Sequence, residues 1–285
     1  MRNKATMLFV AVIVCVGGFR AMAGTLAYWQ FDETGGGVVV DSSTNGHDMV
    51  VGNSETNTVG NPARVADGYS YGAYRFSSED IGDVVKFENS DEATHVPAVT
   101  PTSTMDWTVE AFFKLSEIPQ TWGSGDSPNT LFEWKDTSGR SNWLRIRRQT
   151  VGSNYGQMDA TYWDGSTYKT LLHPALLDTN IWYFVAESYD ATTGTRKLWI
   201  DDASATDTPD AVNLGTPHRF SIGSSSWNVD EFSRSFDGVI DEVRISDAVV
   251  AENDMLFHTV PEPTHVGLLA ISCLGALLFH RSRIR

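Results

Sequence analysis

The 285-residue chain has little cysteine to use. It has two, Cys15 and Cys273, and each lies inside an apolar run near one end. The polypeptide between them has none, which excludes disulfides, thiolate nucleophiles and cysteine-ligated metals there. Positive charge is the next shortage: 21 Lys and Arg stand against 36 Asp and Glu, a net charge of −15. Without the first 23 and last 25 residues the counts are 15 and 35, a net charge of −20. Such a surface repels a phosphate backbone, so no nucleic-acid partner is expected. The seven histidines (47, 95, 173, 218, 258, 265 and 280) include no H-x-H or H-E-x-x-H pair, and a zinc site would have to recruit them from distant loops. No G-x-S-x-G elbow is present to mark a serine nucleophile. Acids are plentiful, but none follow the E-x-D-x-E spacing that lines carboxylates along one strand face. Glu187 and Asp190, three apart, and the adjacent Asp241 and Glu242 point to opposite faces of a strand.

Both ends read as targeting segments. Arg2 and Lys4 precede the apolar run Met7 to Val16, and Ala21-Met22-Ala23 offers an A-x-A cleavage site. That is the layout of a secretory signal peptide over 1–23, the substrate of a signal peptidase. At the other end, Val266 to Phe279 carries no charge and is followed by Arg281, Arg283 and Arg285. As a helix this run reaches ~21 Å, or ~27 Å with its uncharged flanks, against a hydrocarbon core of ~30 Å. It is a marginal span suited to temporary retention, with the arginines holding the terminus in the cytoplasm. A permanent single-pass anchor is the alternative.

The body, 24–259, reads as one all-β domain. Its periodicity is two almost throughout. Trp107, Val109, Ala111, Phe113 and Leu115 share one strand face; Thr108, Glu110, Phe112 and Lys114 share the other. Similar runs are Thr25–Phe31, Ala73–Phe76, Val84–Phe87, Trp143–Arg147, Gln157–Trp163, Ile181–Tyr189, Arg196–Ile200 and Val239–Ile245. Turn signals at Asn45-Gly46, Asp164-Gly165 and Asp190 to Gly194 separate them. Many short strands with long polar connections predict a two-sheet jelly-roll sandwich. Only Ser246–Phe257 reads as helical. Nine Trp, nine Tyr and fourteen Phe give ample surface to bury without staples, and exclude a disordered chain.

Four segments carry a resemblance. Leu26-Ala27-Tyr28-Trp29-Gln30-Phe31-Asp32-Glu33 is similar to an opening strand that ends in F-D-E. Asp41-Ser42-Ser43-Thr44-Asn45-Gly46-His47-Asp48 is similar to a D-x-S-G-N-G-N-D turn, with Thr44 and His47 departing from it. Trp182 to Asp190, continuing to Leu198-Trp199-Ile200-Asp201, resembles a hairpin ending in Y-V-D-G. Gly238-Val239-Ile240-Asp241-Glu242-Val243-Arg244-Ile245 resembles a closing G-x-I-D-E-V-R-I strand. Together they resemble the laminin-G-like, or concanavalin A-like, jelly roll of bacterial secreted proteins. In the tail, Val260-Pro261-Glu262-Pro263, the apolar helix and the Arg-rich end are similar to the PEP-CTERM sorting signal of Gram-negative bacteria. That resemblance implies processing by an exosortase over 260–285.

Two sites are expected. Asp241 is a carboxylate on a strand face that reads as buried, which requires donors or a cation. Asp32, just past the first strand, and Asn45, in the polar turn, offer further oxygen, the ligand type of calcium, and the resemblance implies a structural calcium near these motifs. Backbone N–H groups or an arginine are the alternative partners for Asp241. Trp122 and Trp227 lie in Gly/Ser-rich loops, where an indole can stack on a sugar ring. The reading is therefore an exported, non-catalytic protein of the cell surface or extracellular matrix that binds glycan or matrix components and meets the membrane through its tail. A secreted polysaccharide hydrolase or lyase, and a purely structural matrix protein, are the alternatives.

Overall fold

The computed structural model describes residues 24–52, 61–77, 83–88, 90–118, 129–147, 156–208, 215–228, 231–232 and 236–260. The expected leader 1–23, Trp122, and Pro261, Glu262, Pro263 and the apolar tail lie outside them. In chain order the strands are β1 (Thr25–Trp29), β2 (Val38–Val39), β3 (Met49–Val51), β4 (Ala63–Val65), β5 (Ala73–Phe76) and β6 (Val85–Lys86). After a short helix α1 (Glu92–Ala98) come β7 (Trp107–Leu115), β8 (Asn129–Asp136), β9 (Ser141–Arg147), β10 (Gln157–Trp163), β11 (Tyr168–Leu172) and β12 (Trp182–Asp190). The chain continues with β13 (Thr195–Ile200), β14 (Ala203–Asp207), β15 (Pro217–Ile222), β16 (Ser226–Asn228), β17 (Glu231–Phe232) and β18 (Gly238–Ser246). A 3-10 turn, Glu252–Asp254, and a one-turn helix α2, Leu256–Thr259, follow.

Two eight-stranded antiparallel sheets form the expected sandwich. The first runs β14-β13-β12-β7-β18-β5-β4, with β1 also paired to β18; the second runs β11-β10-β9-β8-β15-β6-β3-β2. The alternation read in β7 decides its packing. Trp107, Val109, Ala111, Phe113 and Leu115 enter the core between the sheets, while Phe112 joins a second apolar cluster on the outer face of the first sheet. Phe87, Phe132, Trp134 and Phe220 fill the core from the other side, and Trp29 of β1 stacks on Phe220 at 5.8 Å.

β18 organises the first sheet. It pairs with β7 along one edge, whereas the other edge is shared between β5, over Gly238 to Ile240, and β1, over Val243 to Ser246. At the handover the register shifts between Asp241 and Arg244, and Glu242 takes a left-handed backbone, φ 53°. Alternation along the closing strand would set Asp241 on one face with Val239, Val243 and Ile245, and this bulge corrects that expectation. Ile240, Val243 and Ile245 point into the core, so Asp241 does not share a face with Val243 and Ile245. It is fully buried, on the outer side of the sheet.

The segment after β18 departs from the expected helix over Ser246–Phe257. Ser246 ends the strand, and the Thr108 hydroxyl donates to the Ala248 carbonyl at 2.7 Å while accepting the Val250 N–H at 3.0 Å. A side chain of β7 thus takes backbone groups that a helix would pair internally. The chain then crosses the outer face of the first sheet. There the Arg244 Nε donates to Glu110 at 2.7 Å, Glu110 accepts the Leu256 N–H at 2.9 Å, and Arg244 Nη2 donates to the Asp254 carbonyl at 3.0 Å. Met255 and Leu256 close over Tyr69, Phe112, Phe184 and Trp199, and Val260 packs against the same cluster. Helix α1 was not expected either. It packs on the second sheet through a Glu92–Arg219 pair at 3.1 Å, and its His95 meets His47 with Nδ1 atoms 2.9 Å apart. No helix among the described residues is long and apolar enough to cross a membrane.

The Glu110–Arg244 pair is buried on both sides, so removing one partner leaves an unpaired charge. Arg244→Leu should cost about 3–5 kcal/mol in urea unfolding, and adding Glu110→Leu should recover most of that loss. A single variant that unfolds like the parent would contradict the pair's role as the anchor of the C-terminal turn.

Candidate functional site

The outer face of the first sheet is closed by the chain's own C-terminal turn. The outer face of the second sheet, over β9, β10 and β11, instead brings aromatic rings beside polar groups. Leu144 and Ile146 of β9 turn into the core, so the period of two turns Trp143, Arg145 and Arg147 outward. Antiparallel register sets Trp143 opposite Thr161, and Arg145 opposite Asp159. Thr161 in turn faces Thr170, and Trp163 faces Tyr168.

Tyr168 is the centre of the aromatic group. Its ring lies 5.0 Å from that of Trp143 and 5.1 Å from that of Trp163, and it is 42% exposed. Its hydroxyl accepts the Ser141 N–H at 3.4 Å. Arg145 lies over Trp143 at 4.8 Å and Arg140 over Trp163 at 4.9 Å, so each indole is backed by a cation on its ring face. The indole N–H groups of Trp143 and Trp163 are shielded from solvent and have no hydrogen-bond partner among the described residues. The turn carrying Tyr168 is rigidly built: Asp164 accepts the N–H groups of Ser166 and Thr167, both at 2.7 Å. Those bonds hold its carboxyl down to about 2.

Beside the rings, the Thr161 and Thr170 hydroxyls are 2.8 Å apart. The wholly buried Asp159 accepts from Thr161 Oγ1 at 3.0 Å, Arg145 Nε at 3.1 Å and Arg147 Nε at 3.1 Å. A small cavity behind this face is bounded by Trp107, Asn142, Trp143 and Glu187, among others. Burial pushes the Glu187 carboxyl up to about 7 against the opposing charge of Arg196, 3.7 Å away. Apolar ring faces next to fixed donors and acceptors suit an amphipathic, hydroxyl-rich ligand.

The expected calcium residues are only partly brought together. Asp241 accepts the N–H groups of Tyr69 at 2.7 Å, Ser70 at 3.1 Å and Glu242 at 2.9 Å, so the backbone donors weighed against a cation are present. Asp32 accepts the Gly72 N–H at 2.8 Å, and its charge adds to the rise in the carboxyls of both Asp241 and Glu242. The loop between these acids admits no side chain at Gly68, where a Cβ would lie 2.1 Å from the Gly72 carbonyl. Asn45 is elsewhere. Its amide donates to the carbonyls of Thr25 and Leu26, and Thr25 pairs with Ser246, five residues up β18 from Asp241, or ~17 Å. The polar turn is built on Asp41, which takes the N–H groups of Tyr28, Ser43 and His47. The structure adds Glu242 to the acidic group: its carboxylate accepts from the Tyr28 hydroxyl, and burial first, then Asp32, push it up to about 7. Burial first, and then Glu242, also raise the Asp241 carboxyl well above the usual carboxylate range. Among the described residues no three metal-binding side chains converge. Of the two expected sugar contacts, Trp122 lies outside the described residues and Trp227 is in β16, which pairs with β17 in a separate two-stranded sheet.

Sequence reading selects the loop tryptophans Trp122 and Trp227 and passes over the outward Trp143, Trp163 and Tyr168. The signal was available in Ser141-Asn142-Trp143-Leu144-Arg145-Ile146-Arg147, where alternation alone turns the indole away from the core.

A family model described as the concanavalin A-like lectin/glucanases superfamily matches residues 87–254. That is more than half of the chain, which belongs to this superfamily. Among solved structures, the fold is similar to domain 4 of an extracellular arabinanase from Geobacillus stearothermophilus, in complex with arabinotriose. The TM-score is 0.54 at 19% identity, covering 84% of this chain and 98% of that one. It is also similar to a Trypanosoma rangeli sialidase in complex with sialic acid (TM-score 0.54, 14% identity, 83% of this chain and 33% of that one). A third is the binding domain of botulinum neurotoxin serotype D/C (TM-score 0.55, 11% identity, 84% and 52%). At these identities the likeness is one of fold. A search of curated proteins found no match.

The acidic group generates a pH dependence of known sign. The folded state raises the Glu242 carboxyl from 4.5 to about 7, so the fold holds this proton more tightly than the unfolded chain does. Its stabilising contribution is full below pH 4.5 and is lost as the pH rises through about 7. In chelator, Glu242→Gln should therefore gain several degrees of melting temperature relative to the parent between pH 5 and pH 7.5. A difference that stays constant with pH would contradict the assignment.

Proposed function

We propose that this member of the concanavalin A-like lectin/glucanases superfamily is an exported, non-catalytic glycan-binding protein of a Gram-negative cell surface or extracellular matrix. The observation that carries the reading is the Trp143–Tyr168–Trp163 group, three rings at 5.0 and 5.1 Å, with Thr161, Thr170 and a buried Asp159 beside them on one open sheet face. A pyranose or furanose ring has apolar C–H faces and an equator of hydroxyls, and both halves find partners there. The arabinotriose held by the arabinanase domain supports a glycan as the ligand class. The signal-peptide layout of 1–23 supports export. The Val260-Pro261-Glu262-Pro263 tail supports processing by an exosortase and transient contact with the membrane.

The non-catalytic reading is supported by how the acids are engaged. Asp159 is tied to two arginines. Glu187, whose proton is poised near neutrality, lies behind the face and beside Arg196. It is the acid next to this face that a hydrolase reading would use, and turnover lost in Glu187→Gln would establish that alternative.

Glycan-array screening of the mature protein, followed by titration of tryptophan fluorescence, tests the proposal. Trp143→Ala and Tyr168→Ala should each weaken binding about tenfold or more, as expected for aromatic anchors, with no released product. Loss of binding in Trp122→Ala or Trp227→Ala but not in these variants would move the site to the loops.

Calcium is proposed as a structural ion at Asp32 and Asp241, the two expected ligands whose charges act on one another. A bound divalent ion would neutralise their mutual repulsion. At pH 7.5, calcium at one hundred times its dissociation constant should add about 2.7 kcal/mol of stability. Asp241→Asn should abolish most of that gain. Equal melting in calcium and in chelator would leave the backbone N–H groups as the sole partners.

A further inference from the structure

We infer that the face of β9–β11 is selective for carboxylated glycans, with Arg145 and Arg147 receiving the sugar carboxylate. This rests on the reading of that face as the glycan site and adds its ligand class. The chain as a whole carries a net charge of −15, yet these three strands and their turns hold Arg140, Arg145, Arg147 and Lys169 against Asp159 and Asp164 among the described residues.

The pairing locates the excess. Lys169 is matched by Asp164 at 3.4 Å, and Arg140 faces Asp136 at 3.9 Å. Among the described residues Arg145 and Arg147 are left with one carboxylate between them, Asp159, which each engages through Nε. Two guanidiniums on one buried carboxylate leave one positive charge uncompensated. It is not hidden: the Arg147 side chain is 38% exposed, while that of Asp159 is wholly buried.

The same alternation that turns Trp143 outward places Arg145 two residues away and Arg147 four residues away, about 7 and 14 Å along β9. A sugar stacked at Trp143 and Tyr168 therefore extends its neighbouring ring over the arginines. A planar guanidinium fork presents parallel donors that match the two oxygens of a carboxylate. Asp159 holds both forks in place before any ligand arrives, so little side-chain freedom is left to lose on binding. A neutral sugar would leave this charge unused, whereas a uronic or sialic acid would neutralise it.

The test compares each acidic oligosaccharide with its own methyl ester. Oligogalacturonate, oligoalginate and 3′-sialyllactose, as acids and as esters, are titrated into the mature protein by calorimetry at low salt. At least one acid should bind about tenfold or more tightly than its ester, with the gap narrowing as salt rises. Arg147→Gln should close the gap, and Arg147→Lys should restore only part of it, because an ammonium is not a fork. Thermal melting of both variants verifies the fold. Acid and ester binding equally, with both weakened by Tyr168→Ala, would overturn the carboxylate inference and leave the glycan site standing. No binding of any acid or ester, or binding indifferent to Tyr168→Ala, would overturn the inference together with the site.

Discussion

The first sheet is arranged around a break in β18. One edge of this strand is shared by two partners, β5 and then β1, and no single register serves both. The chain resolves the conflict at Asp241 and Glu242 with a bulge and one left-handed residue. The unpaired stretch is answered by N–H groups of Tyr69 and Ser70 donating to a buried carboxylate. Beyond the bulge, Arg244 emerges on the outer face, where it meets Glu110 of β7. The buried pair then receives the returning chain through Leu256 and Asp254. A local irregularity in one strand thus determines how the outer face of the whole sheet is covered.

Covering that face has a functional consequence. A sandwich has two outer faces, and here the first is sealed by the second apolar cluster, including Tyr69 stacked on Phe112 at 3.6 Å. The second sheet keeps Trp143, Trp163 and Tyr168 turned outward with arginines behind them. The two sheets therefore differ in what they present: the first carries the chain's own C-terminal turn, and the second carries the rings on which the proposed glycan site is built.

Much of this was legible in the sequence where a single strand decides the outcome. β7 alternates cleanly, and its five core residues are the five that alternation selects. Ala73–Phe76 and Gln157–Trp163 end where their patterns end. The burial of Asp241 was legible too, but not its face, because the bulge depends on the exchange of β5 for β1, which local periodicity does not encode. The helix expected after β18 failed for a similar reason: Thr108, about 140 residues earlier, binds the backbone of Ala248 and Val250. Helix α1 contains Pro97, which reads as a helix stop. The aromatic group comes from three strands whose adjacency appears only once β9, β10 and β11 are in register, whereas Trp122 and Trp227 have surroundings that are conspicuous in one dimension. The pairing of Arg145 and Arg147 on Asp159 was hidden in the same way.

Hydrogen–deuterium exchange with and without a bound oligosaccharide locates the ligand without altering a residue. A ligand held on the proposed β9–β11 face should slow exchange in peptides covering 141–147 and 157–172, with 247–260 unchanged. Protection concentrated on the C-terminal turn or the loop around Tyr69 and Asp241, with β9–β11 unaffected, would contradict it.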